Sequence, residues 1–289
     1  MLRAADGPSP TVAGPRSQEV LVSRMAQTPS VRRSLTALHR YRHLLRNLVL
    51  KDLKLKYRGS VIGFLWSLAN PILMGVVYTI AFRGILQIHN EGFVFYLMLG
   101  LLSWTFFASS AAASTAAIVD NGGLVKSVWF PRAILPTASV LFNFTQFVLS
   151  IAVILPLMLL YYRVTPVAPM LLFPVFIALQ LIFTTGVALV LATSAAFLRD
   201  VRHLVDIAIM ILFWLTPIVY EVGQLPPRLR QIILLSPMSP YVAAYQEIFY
   251  YREWPHAATW ATTVAYAAIA LALGLWMVVR NEDTFAERV

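Results

Sequence analysis

The chain contains no cysteine and little charge. Of its 289 residues only 12% are charged and 59% are hydrophobic, and the mean hydropathy is +0.71. Soluble domains carry about 25% charged and about 45–50% apolar residues, so this composition excludes an ordinary soluble domain. The absence of cysteine excludes a disulfide framework, thiol chemistry and a Cys-ligated metal.

Common catalytic motifs are missing as well. The sequence has no GxxxxGK(S/T) phosphate loop, no HExxH and no GxSxG, so it predicts no nucleotide hydrolysis by a phosphate loop. The five histidines are scattered without metal-ligand spacing: His39, His43, His89, His203 and His256. We therefore expect no bound metal, no cofactor and no enzyme activity in this chain.

Long uncharged runs dominate what is present. A spanning helix needs about 20 mostly apolar residues; five runs reach that length without an ionisable side chain, and a sixth reaches it only when extended at both ends. The sequence predicts an all-α, polytopic membrane protein with six transmembrane helices at 61–82, 93–118, 137–160, 171–197, 204–222 and 257–279. Because ion-coupled carriers need ionisable residues at depth, we expect a separate ATPase to supply the energy.

The net charge of +10 is explained by topology. Cytoplasmic loops retain Lys and Arg, and 18 of the 23 fall in segments that share one side of the membrane: 1–60, 119–136, 198–206 and 280–289. Both termini are therefore expected in the cytoplasm, and no nucleic-acid partner is expected. Residues 1–33 are rich in Pro, Ser, Ala and Arg and are predicted to be a disordered tail before a single permease domain at 34–289.

Residues 35–58 predict an interfacial helix. Apolar residues fall on one side of its first part and basic residues on the other; the apolar set is Leu38, Tyr41, Leu45, Leu48 and Val49. Lying on the inner leaflet, the helix would bind membrane lipids through its basic face. The alternative is a basic stretch that serves topology alone.

Four segments resemble one family. They are LKYRGSVIGFLW at 55–66, followed by Asn70 and Pro71, NGGLVKSVWFPRAILP at 121–136, FLRDVRHLVDI at 197–207 and LTPIVY at 215–220. In this order they resemble membrane subunits of ABC transporters that export polysaccharide, the Wzm-like permeases, whose first segment is similar to KYRxSxLGxLWxxxxP. The chain departs at Ile62, where Leu is usual, and at Ser236, where Asn is common.

The resemblance implies a homodimer of six-span subunits with two ATP-binding ABC subunits, which would bind ATP and Mg. It implies a polyprenyl-pyrophosphate-linked polysaccharide as the substrate, such as O-antigen or teichoic acid, and a location in the bacterial cytoplasmic membrane. Arg outnumbers Lys 19 to 4, which points weakly to a GC-rich genome and a cell-wall galactan. The alternatives are an ABC permease for a drug or simple lipid, and a membrane enzyme acting on polyprenyl-linked sugars.

One cytoplasmic loop is the predicted docking site for the ATPase. Exposed aromatic side chains flanked by basic residues suit insertion into a partner, and the predicted coupling residues are Asn121, Leu124, Lys126, Trp129, Phe130, Pro131 and Arg132. The alternative is that Trp129 and Phe130 anchor the third span at the inner interface.

Aromatic residues suggest a lining for a glycan channel. In the second span four aromatic residues and Gly100 recur at spacings of three, four, four and three, which is one helical face, and aromatic faces stack on sugar rings. The predicted set is Phe93, Tyr96, Trp104 and Phe107, continued by Tyr78, Phe82, Trp214 and Tyr220. Ordinary helix packing or interface anchoring is the alternative for each.

Two further sites are predicted. Lys54, Lys56 and Arg58 precede the first span, where cations would bind an incoming lipid pyrophosphate; they serve equally well as topological anchors. The outer loop 221–256 contains short apolar helices, which predict re-entrant helices between spans five and six. We expect them to form an outer gate with four named positions: Pro226, Pro227, Tyr241 and Tyr245.

Overall fold

The computed structural model describes residues 41–59, 65–85, 92–127, 130–233 and 236–281. Within these ranges the chain is helical and contains no strand, which confirms the predicted all-α fold. The helices are α1 (Arg42–Tyr57), α2 (Leu65–Thr79, continued by a π turn, Ile80–Ile85), α3 (Phe93–Asp120), α4 (Gly122–Ser127), α5 (Ile134–Tyr161), α6 (Phe173–Phe197), α7 (Val201–Leu215), α8 (Pro227–Ile233), α9 (Ser239–Gln246, continued by a π turn, Glu247–Tyr251) and α10 (Ala257–Asn281). The predicted tail, 1–33, and the first residues of the predicted interfacial helix lie outside the described ranges.

Four helices are long and apolar enough to cross a membrane in the described ranges. They are Phe93–Asp120, Ile134–Tyr161, Ala168–Phe197, which includes a 3₁₀ turn, and Ala257–Asn281. Helix α7 has 15 residues and measures about 22 Å, against about 30 Å of hydrocarbon. It ends at Leu215 because Thr216 is extended and precedes Pro217, which has no N–H to donate. The count of six spans stays a prediction.

Contacts at both ends show how the long helices run. The rings of Phe95 and Tyr162 stack at 5.8 Å between centroids at one end, and the Ser114 hydroxyl donates to the Pro136 carbonyl at 3.4 Å near the other. Helices α3 and α5 are therefore antiparallel. Helix α3 is the centre of the bundle, because 78% of its most apolar 18-residue stretch is buried inside the chain.

Helices α6 and α10 run in the same direction and make the closest crossing. A Cβ atom at Gly186 would lie 2.3 Å from the carbonyl carbon of Ala270, and one at Gly274 would lie 2.5 Å from the Gly186 oxygen. These distances leave room only for hydrogen at both positions. Small residues allow such backbone approach between helices in membranes.

Helices α8 and α9 form a re-entrant hairpin. The Tyr241 ring stacks on Phe183 at 5.1 Å, and its hydroxyl donates to the Thr263 carbonyl of α10 at 2.8 Å. Phe183 lies ten residues into α6, so this contact is about 15 Å below the end of that helix. The chain thus enters the bundle and returns to the same end before α10, as the predicted re-entrant helices require; their place relative to the membrane stays a prediction.

Candidate functional site

The predicted coupling loop folds around its own small core. The end of α3, helix α4 and the residues after it form a buried cluster of Ala117, Val125, Phe130, Ile134 and Leu135. The apolar face of α1 packs on this cluster through Tyr41, Leu44, Leu45 and Leu48. The apolar face of α1 therefore contacts protein, and α1 and the loop form one unit. We call it the α1–α4 unit.

Burial divides the predicted coupling residues into two groups. Phe130 is 1% exposed and Arg132 is 7% exposed, and Pro131 is buried. The Arg132 guanidinium donates to the Phe130 carbonyl at 2.9 Å and lies 5.2 Å from the Phe130 ring centroid. The expectation that these three residues form an exposed contact does not match the structure, because α1 covers the loop.

The exposed part of the loop is the short helix α4. Lys126 is exposed, and Asn121 and Leu124 are half-buried; the Asn121 amide donates to the Ala117 carbonyl at 2.8 Å and so ends α3. Trp129 lies outside the described residues. Among the described residues of the loop, the exposed surface therefore includes the charged side chain of Lys126.

An ion pair that the sequence did not reveal joins the end of α3 to the start of α7. Arg202, at the start of α7, donates to Asp120, at the end of α3, with Nη2 and Oδ1 2.6 Å apart. Both side chains are partly exposed, so the pair adds little stability. It nevertheless connects the α1–α4 unit to α7. A carboxylate and an arginine 82 residues apart give no local signal of pairing.

The predicted phosphate-binding cations lie at the far end of α1. Lys54, Lys56 and Arg58 are all exposed. The Lys56 amine also donates to Gln146 of α5 and lies 5.7 Å from the Phe142 ring centroid. Gln146 is about 22 Å along α5 from the end of that helix at Tyr161. Partial burial there lowers the pKa of Lys56.

The aromatic face of α3 is in the interior of the chain. All four predicted residues are at most 6% exposed: Phe93, Tyr96, Trp104 and Phe107. The Trp104 ring meets Phe213 of α7 edge-on at 5.7 Å, and the Phe107 ring stacks on Phe183 of α6 at 5.6 Å. In this structure these four residues pack on neighbouring helices and present no surface to a sugar.

The remaining aromatics lie at or near the surface. Trp214 on α7 is 60% exposed, Tyr78 on α2 and Tyr220 after α7 are half-buried, and the side chain of Phe82 lies outside the described residues. Trp214 belongs to a wide exposed apolar face of α7 that includes Leu204, Ile207, Met210 and Ile211. Helix α2 presents a similar face, with Ile72, Leu73, Met74, Val76 and Val77 exposed. Two apolar helix faces are thus left uncovered by the part of the chain that the structure describes.

The predicted gate residues also fall into two groups. Pro226 and Pro227, at the start of α8, are exposed, whereas Tyr241 and Tyr245 on α9 are at most 1% exposed. The Tyr245 hydroxyl donates to Gln180 of α6 at 2.6 Å. The two tyrosines hold α9 in the bundle and do not face an opening.

Comparison with known proteins identifies the family. Residues 43–250, from α1 through the re-entrant hairpin, match the family model described as ABC-2 type transporter. The chain belongs to this family. Membership makes it a transporter membrane subunit and not an enzyme, and it implies an ATP-binding partner subunit. The resemblance found in the sequence is confirmed.

Curated relatives agree with this assignment. The permease is 33% identical over 259 residues to the O-antigen export system permease protein RfbA of Myxococcus xanthus, covering 89% of this chain and 99% of that protein. It is 32% identical over 199 residues to the protein of the same name from Klebsiella pneumoniae, covering 69% and 77% of the two chains. The similarity therefore extends over the spans and loops in their order along the chain.

Proposed function

We propose that this permease is the membrane subunit of an exporter that moves a lipid-linked polysaccharide across the bacterial cytoplasmic membrane. The observation that carries the proposal is the alignment with the Myxococcus xanthus O-antigen permease, which spans nearly the whole of both chains. The lipid carrier would be a polyprenyl pyrophosphate, and the glycan an O-antigen, a teichoic acid or a cell-wall galactan. The basic segments would face the cytoplasm, with both termini on that side.

The glycan path would run between two copies of the chain. Within the described residues the interior of one copy is filled by α3 and its aromatic contacts. A cleft of about 280 Å³ between α2, α3 and α5 is lined almost entirely by apolar side chains such as Ile72, Met98 and Ile154, which suits hydrocarbon and not sugar. The uncovered faces of α2 and α7 would therefore form the interface and the wall of the path.

The α1–α4 unit would connect ATP hydrolysis to the substrate. Two ATP-binding subunits, which carry the ATP and Mg, would dock on the exposed part of α4 at Lys126, Asn121 and Leu124. Helix α1 extends from this unit to Lys56 at the inner boundary, where its amine, with Lys54 and Arg58 nearby, would bind the lipid pyrophosphate. A movement of α4 would thus be transmitted along α1, which packs on the loop, to the lipid headgroup bound near Lys56.

Trp214 provides the test of the path. Among the described residues of the predicted aromatic set it is the most exposed, and an exposed indole ring can stack on passing sugar rings. Trp276 on α10 is 51% exposed, and its ring lies 5.3 Å from the Arg280 guanidinium; it serves as the matched control.

We expect Trp214→Ala to lower the amount of surface polysaccharide several-fold, while Trp276→Ala leaves it unchanged. Both variants should reach wild-type membrane levels and co-purify with the ATP-binding subunit in mild detergent. Equal export by the two variants would refute the assignment of α7 to the path. If a strain lacking the permease still exported its lipid-linked glycan, or if no ATP-binding subunit co-purified, the proposed function itself would be wrong.

A further inference from the structure

A buried amide connects the re-entrant hairpin to two spans. Gln180 on α6 is fully buried. Its Oε1 accepts from the Tyr245 hydroxyl of α9 at 2.6 Å and from the Ser103 hydroxyl of α3 at 3.3 Å, and its Nε2 donates to the Ser103 carbonyl at 2.9 Å. One side chain on α6 therefore joins α6 to both α3 and α9.

The hydrogen bonds of the Gln180 amide matter for stability because the amide lies deep in the helix bundle. Gln180 lies about 10 Å along α6 from Phe173, and Ser103 about 15 Å along α3 from Phe93, so the group lies within the hydrocarbon region. A polar side chain at that depth is costly unless it is hydrogen-bonded, because no lipid atom can replace its partner. Displacing α9 would break the bond between the amide and the Tyr245 hydroxyl and leave that hydroxyl without its acceptor.

Further bonds hold α9 and its ends on other sides. The Gln246 amide donates to the Pro217 carbonyl beyond α7 at 3.0 Å, and the Tyr241 hydroxyl donates to the Thr263 carbonyl of α10 at 2.8 Å. Where the hairpin turns, the hydroxyl oxygens of Ser236 and Thr216 lie 2.9 Å apart. Helix α9 is thus bonded to α6, to α10 and to the segment after α7.

Helix α8, the other arm of the hairpin, is attached among the described residues only at its last residue, where the Ser239 hydroxyl of α9 donates to the Ile233 carbonyl at 2.9 Å. Leu229 and Ile232 are about half exposed, and only Ile233 is buried. The Arg230 guanidinium donates at 3.2 Å to the Gly223 carbonyl, which belongs to the same outer segment. The two arms of one hairpin therefore differ sharply in how they are held.

We propose that Gln180 is a positioning residue that fixes α9 as an immobile wall, so that the outer end of the permease opens by movement of α8 alone. This inference rests on the proposed export function for its purpose, since it states which part of the outer end moves when a substrate passes. It also revises the expected gate: Pro226 and Pro227 belong to the moving arm, and Tyr241 and Tyr245 to the fixed one.

The first test measures leakage without substrate. The full permease with its ATP-binding subunit is reconstituted into vesicles filled with a fluorescent dye, and dye release is recorded without nucleotide. Gln180→Leu and Tyr245→Phe should raise the rate of release about threefold to tenfold, the range by which interhelical hydrogen bonds in membranes change a conformational population. Tyr245→Phe removes one oxygen and keeps the ring, so it tests the bond even if Gln180→Leu folds poorly.

Thr184→Val is the matched control. Thr184 lies one turn further along α6 and is buried, but its hydroxyl has no hydrogen-bond partner among the described residues. This variant should leak no more than wild type. If Tyr245→Phe and Thr184→Val gave the same rate of release, the proposal would be overturned.

The second test uses the absence of cysteine from the chain. Thr216→Cys combined with Ser236→Cys places two thiols where the hydroxyl oxygens are 2.9 Å apart, and oxidation would bond the turn of the hairpin to the end of α7. We expect the oxidised pair to retain wild-type export, because neither position moves. Loss of export that a reductant restores would show that the whole hairpin moves, and it would overturn the proposal. The leak assay needs neither glycan nor ATP, so failure of the export function would be seen separately.

Discussion

The crossing of α6 and α10 predicts a large effect from a single methyl group. Gly186→Ala would place a Cβ 2.3 Å from both the carbonyl carbon of Ala270 and the amide nitrogen of Leu271. Both atoms are backbone, so no side-chain rotation relieves the contact. The two helices would have to separate by about 1 to 1.5 Å to restore ordinary van der Waals distances.

The cost follows from this separation. Overpacking a filled interior typically costs about 1–3 kcal/mol, and a backbone clash with no soft neighbour belongs at the upper end. Separating the helices also loosens the close packing at Gly274, which is so near to Leu189 that a Cβ added at Gly274 would lie 2.9 Å from the Leu189 Cβ. We therefore expect a loss of about 3 kcal/mol. For a domain of roughly this size, that loss lowers the melting temperature by about 6–12 °C.

Thermal unfolding of the purified complex in mild detergent measures this effect. Gly123→Ala is the control, since Gly123 lies in helix α4 and an added methyl group there would have nothing within 4 Å; it should be neutral or stabilise by about 0.5–1 kcal/mol. A melting temperature for Gly186→Ala within ~2 °C of the control, which corresponds to less than about 1 kcal/mol, would show that the crossing is looser than the structure has it.

Two further predictions concern the end of the bundle at which the α1–α4 unit lies. Phe130→Ala should cost about 3–5 kcal/mol because the ring is the core of the α1–α4 unit; limited proteolysis should then cleave near α1, and unchanged protection would contradict the packing. Asp120→Arg should reduce substrate-stimulated ATP hydrolysis, and the double variant with Arg202→Asp should restore it. Because both side chains are partly exposed, neither change should alter stability by more than about 1 kcal/mol, and a failure of restoration would mean that the pair does not link α3 to α7.

The fold was largely predictable because the bilayer simplifies the problem. A chain that crosses hydrocarbon must satisfy its backbone within each segment, so long uncharged runs identify helices directly. The four long spans lie close to their predicted limits. The shortness of α7 depends on Thr216 and Pro217, which the length of the apolar run does not reveal.

The candidate site was less predictable because periodicity identifies a face and not the partner of that face. The spacing of Trp104 and Phe107 correctly placed them on one side of α3, and the structure shows that this side meets Phe213 and Phe183. A helix face that binds a glycan and a helix face that packs on another helix show the same spacing of aromatic residues in the sequence. Only the packing distinguishes them.

Composition, uncharged runs and the distribution of Lys and Arg thus determined that this is a helical membrane protein, and four short segments were enough to identify its family. Tertiary structure alone decided that α1 covers Phe130. It also decided that Gln180 accepts a hydrogen bond from the hydroxyl of Tyr245, which is 65 residues away in the sequence. The physical reason is that burial and hydrogen bonding in a bundle depend on contacts between distant segments. Local propensity carries no information about which distant segment will provide them.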